Sequence, residues 1–312
     1  MKIQTGLKGE YNLVVTRSDG STKETGWFPN LILDQGLDRV GLSGSVINTC
    51  QIGTGTQPPA ITQTSLQSYT AGCSGNTSTV LNAGSPTYSS AHTISYAFPQ
   101  GSVIGNMAEI GVGWLATGAN LFSRALITDA SNNPTTITVT SIDQLTVYYK
   151  ITFVPDLTVG SGSVVLAGST YDYVSSIAYA GSIYGDSGLF MGSDFYSPYY
   201  GSWNYWTAPS STITLGAITT GLANETSWYY ASGTNAAPVG SIAPYIYNTY
   251  YRDTTWLLPI NCGNYAGGIG GVRPMLGNAG GTGWCKYVFT PAIPKDNTKT
   301  FSLTYRVSWA RV

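Results

Sequence analysis

The chain has 312 residues, room for two domains of ordinary size, and a formal net charge of −1. Only 9% of its residues are charged, against roughly 25% in typical globular proteins. Its 42% hydrophobic and 12% aromatic content excludes a disordered chain, and the missing basic face excludes a nucleic-acid partner.

Residues 10–17 (EYNLVVTR) and 21–33 read as two strands around Ser18, Asp19 and Gly20, where Asp-Gly supplies the positive φ of a tight turn. Residues 34–40 predict a short helix with Asp34 as its N-cap. Residues 50–55 predict a strand ending in glycines, and 62–69 a second helical turn. From there strands follow closely, at 88–98, 103–114, 120–128, 134–141 and 144–154, parted by Gly or Asn-Pro. Short strands at this spacing predict a sandwich or barrel.

One strand pattern is written twice. Residues 145–153 (LTVYYKITF) place Leu145, Val147, Tyr149, Ile151 and Phe153 on one face, and residues 301–309 (FSLTYRVSW) place Phe301, Leu303, Tyr305, Val307 and Trp309 likewise. Period two over nine residues marks a half-buried antiparallel strand. Its recurrence near the end of each half predicts an all-β fold of two antiparallel β-sandwich modules, residues 1–156 and 157–312, joined near 155–162.

Beyond residue 156 the composition shifts. Seventeen of the 23 tyrosines and six of the eight tryptophans lie there, with no Lys or Arg between Lys150 and Arg252. Long aromatic loops are therefore expected in the second module, with Tyr196, Tyr199, Tyr200, Trp203, Tyr205, Trp206, Trp228, Tyr229, Tyr230, Tyr245, Tyr247, Tyr250, Tyr251 and Trp256 as candidate interaction residues. Tyr and Trp give large, rigid contact area with a polar tip, which serves neighbouring subunits and sugars alike. Arg306 and Arg311 read as a solvated strand end.

Sites for catalysis are thin. Residues 185–188 (GDSG) copy a serine-protease nucleophile motif, and His92, Asp143 and Ser187 run in the matching chain order. Gly-Asp-Ser-Gly is equally an ordinary turn, and His92 is the sole histidine, which leaves little for zinc or acid–base work. Asp172, Asp186, Asp194, Glu225 and Asp253 sit among aromatics as in glycosidases, yet they read first as turn and capping groups. No phosphate-binding loop occurs, and no cofactor or metal is expected. Cys50 and Cys73 are 23 residues apart, as are Cys262 and Cys285; buried thiols and a disulfide in each half both fit.

Several stretches carry a resemblance. Residues 25–37 (TGWFPNLILDQGL), 51–55 (QIGTG), 62–66 (TQTSL), 109–114 (EIGVGW), 121–124 (LFSR) and 307–311 (VSWAR) resemble those of virion structural proteins of tailed bacteriophages. The likeness covers most of 24–154 and, in the second half, only its end. It implies a tail-tip, baseplate or fibre component that binds other virion proteins and copies of itself, as a trimer if it belongs to a fibre. The first module would dock on the particle and the second face a neighbour or a host-surface glycan. Alternatives are a capsid decoration or collar protein, and a depolymerase acting on host polysaccharide. An enzyme is not the expectation. No apolar stretch is long enough to span a membrane, and residues 1–10 lack the layout of a secretion signal. The chain is expected to fold in the host cytoplasm and to reside in the virion.

Overall fold

The structure, a computed structural model, describes residues 2–42, 46–75, 77–83, 89–156, 158, 160–177, 214–216, 229–230, 239–261, 264, 267–273 and 285–312. β1 (Lys2–Thr16) turns into β2 (Thr22–Glu24), and the short β3 (Phe28–Pro29) and β4 (Leu31–Ile32) lead to helix α1 (Asp34–Gly41). β5 (Thr49–Gly53) and β6 (Tyr69–Ser74) follow, then β7 (Thr77–Ala83), β8 (Ser89–Ala97), β9 (Gly105–Met107), β10 (Glu109–Gly113), β11 (Leu121–Leu126), β12 (Ile137–Val139) and β13 (Gln144–Pro155). The remainder comprises β14 (Gly160–Leu166), β15 (Ser169–Ile177), β16 (Thr214–Gly216), β17 (Tyr229–Tyr230), β18 (Val239–Ile242), β19 (Tyr251–Leu258), β20 (Ile269–Arg273), β21 (Cys285–Ile293) and β22 (Phe301–Arg311).

The fold is all-β, in several mostly antiparallel sheets. The largest has the order β18-β19-β22-β1-β13-β8-β7, with β2 and β3 also on β1. A five-stranded sheet runs β4-β11-β10-β5-β6, a six-stranded one β14-β15-β21-β20-β16-β17, and β12 pairs with β9. The two strands of matching pattern lie in the same sheet, one on each side of β1. β13 is antiparallel to β1 over Thr5↔Pro155 to Thr16↔Gln144, and β22 is parallel to it over Lys2↔Arg306 to Leu7↔Arg311. Their likeness therefore has a local cause: each buries one face while flanking the same strand. Leu145, Val147, Tyr149, Ile151, Phe153 and their five counterparts on β22 are all buried in one contiguous cluster. At roughly 2 kcal/mol per large apolar side chain, these two faces are a major part of the driving force for folding.

The first turn forms as its residues require. Gly20 has φ 84°, its N–H donates to the Arg17 carbonyl at 3.0 Å, and Asp19 accepts from the Ser21 N–H at 2.8 Å. Three expectations are corrected. The helix is capped at Leu33 with no side-chain bond; Asp34 is its first residue, and its carboxylate instead pairs with Arg311. No helical turn forms over 62–69, because Glu109 takes the Gln67 and Ser68 N–H groups at 3.0 and 2.6 Å. The single strand expected at 103–114 is two, β9 and β10, in different sheets, with Ala108 between them donating to the Gly53 carbonyl at 2.9 Å.

Candidate interaction surface

Two junctions organise the described molecule, and both are made from the stretches singled out above. The first is a buried ion pair. Glu109 opens β10 and Arg124 lies on β11; the register Glu109↔Leu126 and Gly111↔Arg124 makes them diagonal neighbours on one face. Both side chains are 0% exposed, and Arg124 donates to Glu109 Oε2 from Nε at 3.0 Å and Nη2 at 2.6 Å. Its remaining donors reach Gln63 Oε1 at 2.8 Å and the Gln57 carbonyl at 2.9 Å. Glu109 also accepts from the N–H groups of Gly55, Gln67 and Ser68. The loop 54–68 is thus clamped onto two strands by one carboxylate. Glycine at 55 is a steric requirement there, since a Cβ would stand 2.3 Å from Glu109 Oε1.

The second junction joins α1 to the tyrosine-rich segment 245–252 and to the end of β22. Asp38 accepts from the Tyr245 hydroxyl at 2.6 Å and the Asn248 N–H at 2.7 Å. Burial, then the bond to Asp38, pushes the Tyr245 hydroxyl pKa well up, so it stays a donor. Trp309 stacks on Tyr245 (centroids 5.9 Å, 25°) and donates its indole N–H to the Leu37 carbonyl at 2.8 Å. Arg252 Nη1 donates to the Gly41 carbonyl at 3.2 Å. Across the helix, Gly36 lies so close to β11 that a Cβ would stand 2.2 Å from the Phe122 carbonyl oxygen.

Of the predicted interaction residues, Tyr196, Tyr199, Tyr200, Trp203, Tyr205, Trp206 and Trp228 lie outside the described residues, and Tyr229 and Tyr230 form β17. Trp256 faces inward on β19 at 0% exposure, a correction to its place among surface residues: alternation along the strand puts it in the core. Tyr245 is likewise committed to α1 and Trp309. Tyr247 stays outside at 62% exposure, beside Ile246 at 63%. Tyr251 carries the Arg306 guanidinium 3.5 Å over its ring. Arg306 is no solvated end: it forks onto Asp253 at 2.7 and 2.8 Å, and this bond lowers the Asp253 pKa.

Tyr250 has φ 54°, an uncommon conformation for a bulky residue, held by the Trp309 N–H donating to its carbonyl at 2.9 Å. It borders an open cleft of about 460 Å³ with Gln4, Thr249, Asp156 and Trp309.

The protease-like constellation does not assemble. His92 lies on β8 opposite Ile151, so Asp143, eight residues back and just before β13 begins, is about 26 Å away at strand rise. Asp143 instead accepts from Thr140 and Arg17, and Ser187 lies outside the described residues. Of the candidate glycosidase acids, Asp172 is on β15 and Asp253 on β19, in different sheets; Asp186, Asp194 and Glu225 lie outside the described residues. Among the described residues no group of three or more His, Cys, Asp or Glu could hold a metal ion, and no helix is long and apolar enough to cross a membrane.

Burial lowers the His92 pKa to about 4 from 6.5, so the folded protein holds it neutral. Between these values the unfolded chain binds more protons, and stability falls as pH drops from 6.5 to 4, by about 3 kcal/mol in all. Urea unfolding at pH 7.5 and 4.5 should show this loss, and His92→Leu should lose less over the same interval. Equal losses in both proteins would refute a buried neutral imidazole as the source.

Comparisons with family models, with curated proteins and with solved structures find no match for the chain. What the chain does must therefore be argued from its own residues. Asp38 and Arg252 were missed as junction residues, because only the contact between α1 and residues 245–252 reveals them. Glu109 and Arg124 had a signal: two opposite charges set in otherwise uncharged strand runs have to find each other once buried.

Proposed function

We propose that the protein is a structural component of a tailed-phage virion, in the tail tip, baseplate or fibre region, and that it works by packing against copies of itself and neighbouring subunits. The observation that carries this reading is the fate of the charges. Among the described residues, Arg17–Asp143, Arg124–Glu109, Lys150–Glu10, Lys299–Asp296, Arg306–Asp253 and Arg311–Asp34 are paired within the chain. With charges this sparse, 9% of residues, and a net charge of −1, little net repulsion is left to keep copies apart. The resemblance supports the reading further, since its stretches are engaged with one another as scaffold rather than aimed at a substrate. Gln35, for example, donates to the Thr64 and Leu121 carbonyls at 2.7 and 2.8 Å.

Two sandwich modules remain part of this proposal in an altered form: residues 1–156 dock, completed by β18, β19 and β22, while the sheet of β14-β15-β21-β20-β16-β17 belongs to the module that faces a neighbour or the host. A second reading, binding of a host glycan, is favoured by the Tyr250 cleft, where a ring, a carboxylate and hydroxyls stand together as sugars require.

Native mass measurement tests the assembly. Multiples of the 33.0 kDa chain are expected, and a monomer at every concentration overturns the proposal. Antibody-labelled micrographs of the particle should mark the tail; label on the head or neck would assign it to decoration or the collar. A glycan-array signal abolished by Tyr250→Ala favours the second reading, and release of oligosaccharide would make the protein a depolymerase.

A further inference from the structure

Cys50 and Cys73 occupy directly opposite positions on β5 and β6, inside a register that continues through Thr49↔Ser74, Gln51↔Gly72 and Ile52↔Ala71. Both are free thiols. Opposed residues of an antiparallel pair point to the same face. Here that face is the inner one: Cys50 belongs to the core cluster and the half-buried Cys73 packs against it. β6 is the outer strand of its sheet, so Cys73 is approachable while Cys50 is enclosed by β10 on its other side.

The ladder sets the spacing. The Gly75 N–H donates to the Asn48 carbonyl at 2.9 Å, which makes 48/75 a bonded pair, one residue along from Thr49/Ser74 and two from Cys50/Cys73. Hydrogen-bonded pairs alternate with unbonded ones, so Cys50 and Cys73 are again a bonded pair, with Cα atoms about 5.5 Å apart. A disulfide spans roughly 4.4–6.8 Å between Cα atoms. Opposed Cβ atoms stand about 4.5–5.5 Å apart and a disulfide holds them at about 3.5–4.5 Å, so closure asks the edge strand β6 to shift by only about an ångström.

We propose that Cys50 and Cys73 are a built-in oxidation site, which closes a reversible cross-strand disulfide when the folded protein meets a low-molecular-weight disulfide outside a reducing compartment. The Cys73 thiolate attacks one sulfur of the small disulfide, forming a mixed disulfide and releasing one small thiol. The Cys50 thiolate then attacks the Cys73 sulfur and releases the second. Two electrons pass from the protein thiols to the oxidant, and the two protons end on the released thiols.

Burial pushes the Cys73 thiol up to about 12 and raises Cys50 well above its ordinary value. Closure is therefore slow at neutral pH and speeds up about tenfold per pH unit. The closed loop contains residues 54–68, the segment already clamped by Glu109. The bond fastens by covalent means what the ion pair fastens electrostatically. This inference is independent of the virion reading.

The test uses the whole chain, folded, incubated with excess oxidised glutathione, then unfolded and alkylated. No Lys or Arg lies between positions 50 and 73, so chymotrypsin, which cuts after Tyr69, must separate the two peptides for mass analysis. The expected product is a linked pair carrying Cys50 and Cys73, 2 Da lighter than the summed peptides and split by dithiothreitol, with the melting temperature of the oxidised protein raised by roughly 5 °C. Cys73→Ser should lose the link and the shift while melting like the reduced wild type. Recovery of both cysteines alkylated, or joined to Cys262 or Cys285 instead, overturns the proposal. Such a failure leaves the subunit reading standing, since native mass decides that separately.

Discussion

Glu109→Ala should lower the unfolding free energy by about 3–5 kcal/mol, the usual cost of leaving one member of a buried ion pair behind. The variant strands the Arg124 guanidinium with only Gln63 and the Gln57 carbonyl as partners, and removes the acceptor for the N–H groups of Gly55, Gln67 and Ser68. Glu109→Gln is the sharper control, because it keeps the shape and sets an amide donor against donors. We expect it to be nearly as damaging. Replacing both partners by apolar residues, Glu109→Leu with Arg124→Met, should cost less than the two single changes added together. Urea unfolding gives the energies. Limited proteolysis gives the location, since cleavage within 54–68 should appear before the rest of the chain opens. A Glu109→Gln protein within about 0.5 kcal/mol of wild type, the ordinary range of neutral surface changes, would show that the carboxylate does not hold the loop.

Trp309→Ala should cost about 3–5 kcal/mol, in the range of large buried aromatics truncated to alanine. The indole fills the space between α1 and Tyr245, and its N–H satisfies the Leu37 carbonyl. Trp309→Phe keeps most of the ring contact and loses only the indole hydrogen bond to Leu37, so about 0.5–1.5 kcal/mol is expected. Thermal and urea unfolding of the three proteins check the order. Amide exchange should meanwhile show residues 245–251 losing protection in the alanine variant, while β13 keeps its own. An alanine variant within about 1 kcal/mol of wild type would mean that the α1 junction is not held by this side chain.

The parts of this fold that were legible in the sequence are those whose signal is local. Alternation along 145–153 and 301–309 announced two strands, and both bury the predicted faces. Asp19-Gly20 announced a turn, and the turn is there. What stayed hidden depends on partners distant in the chain. Residues 2–9 are the first half of β1, yet Lys2, Lys8 and two glycines obscure the pattern; only β13 and β22 on either side make them a strand. Asp34 was assigned to a cap on local grounds, and an arginine 277 residues away claims it instead. A repeated pattern has a nearer cause than a repeated module, since both strands flank the same neighbour in a single sheet. Among the candidate site residues, Tyr245 and Trp256 illustrate the limit of composition: a tyrosine-rich stretch signals contact but not whether the contact is internal or external.

The parallel seam between β1 and β22 sets a timetable. Residues 2–7 leave the ribosome nearly three hundred residues before the strand that covers their edge, residues 306–311. Throughout that interval the nascent polypeptide carries a bare β edge, the kind of template on which unfinished chains stick to one another. Slow, chaperone-attended synthesis suits such a topology, and a fragment shortened from its far end would inherit the same adhesive rim.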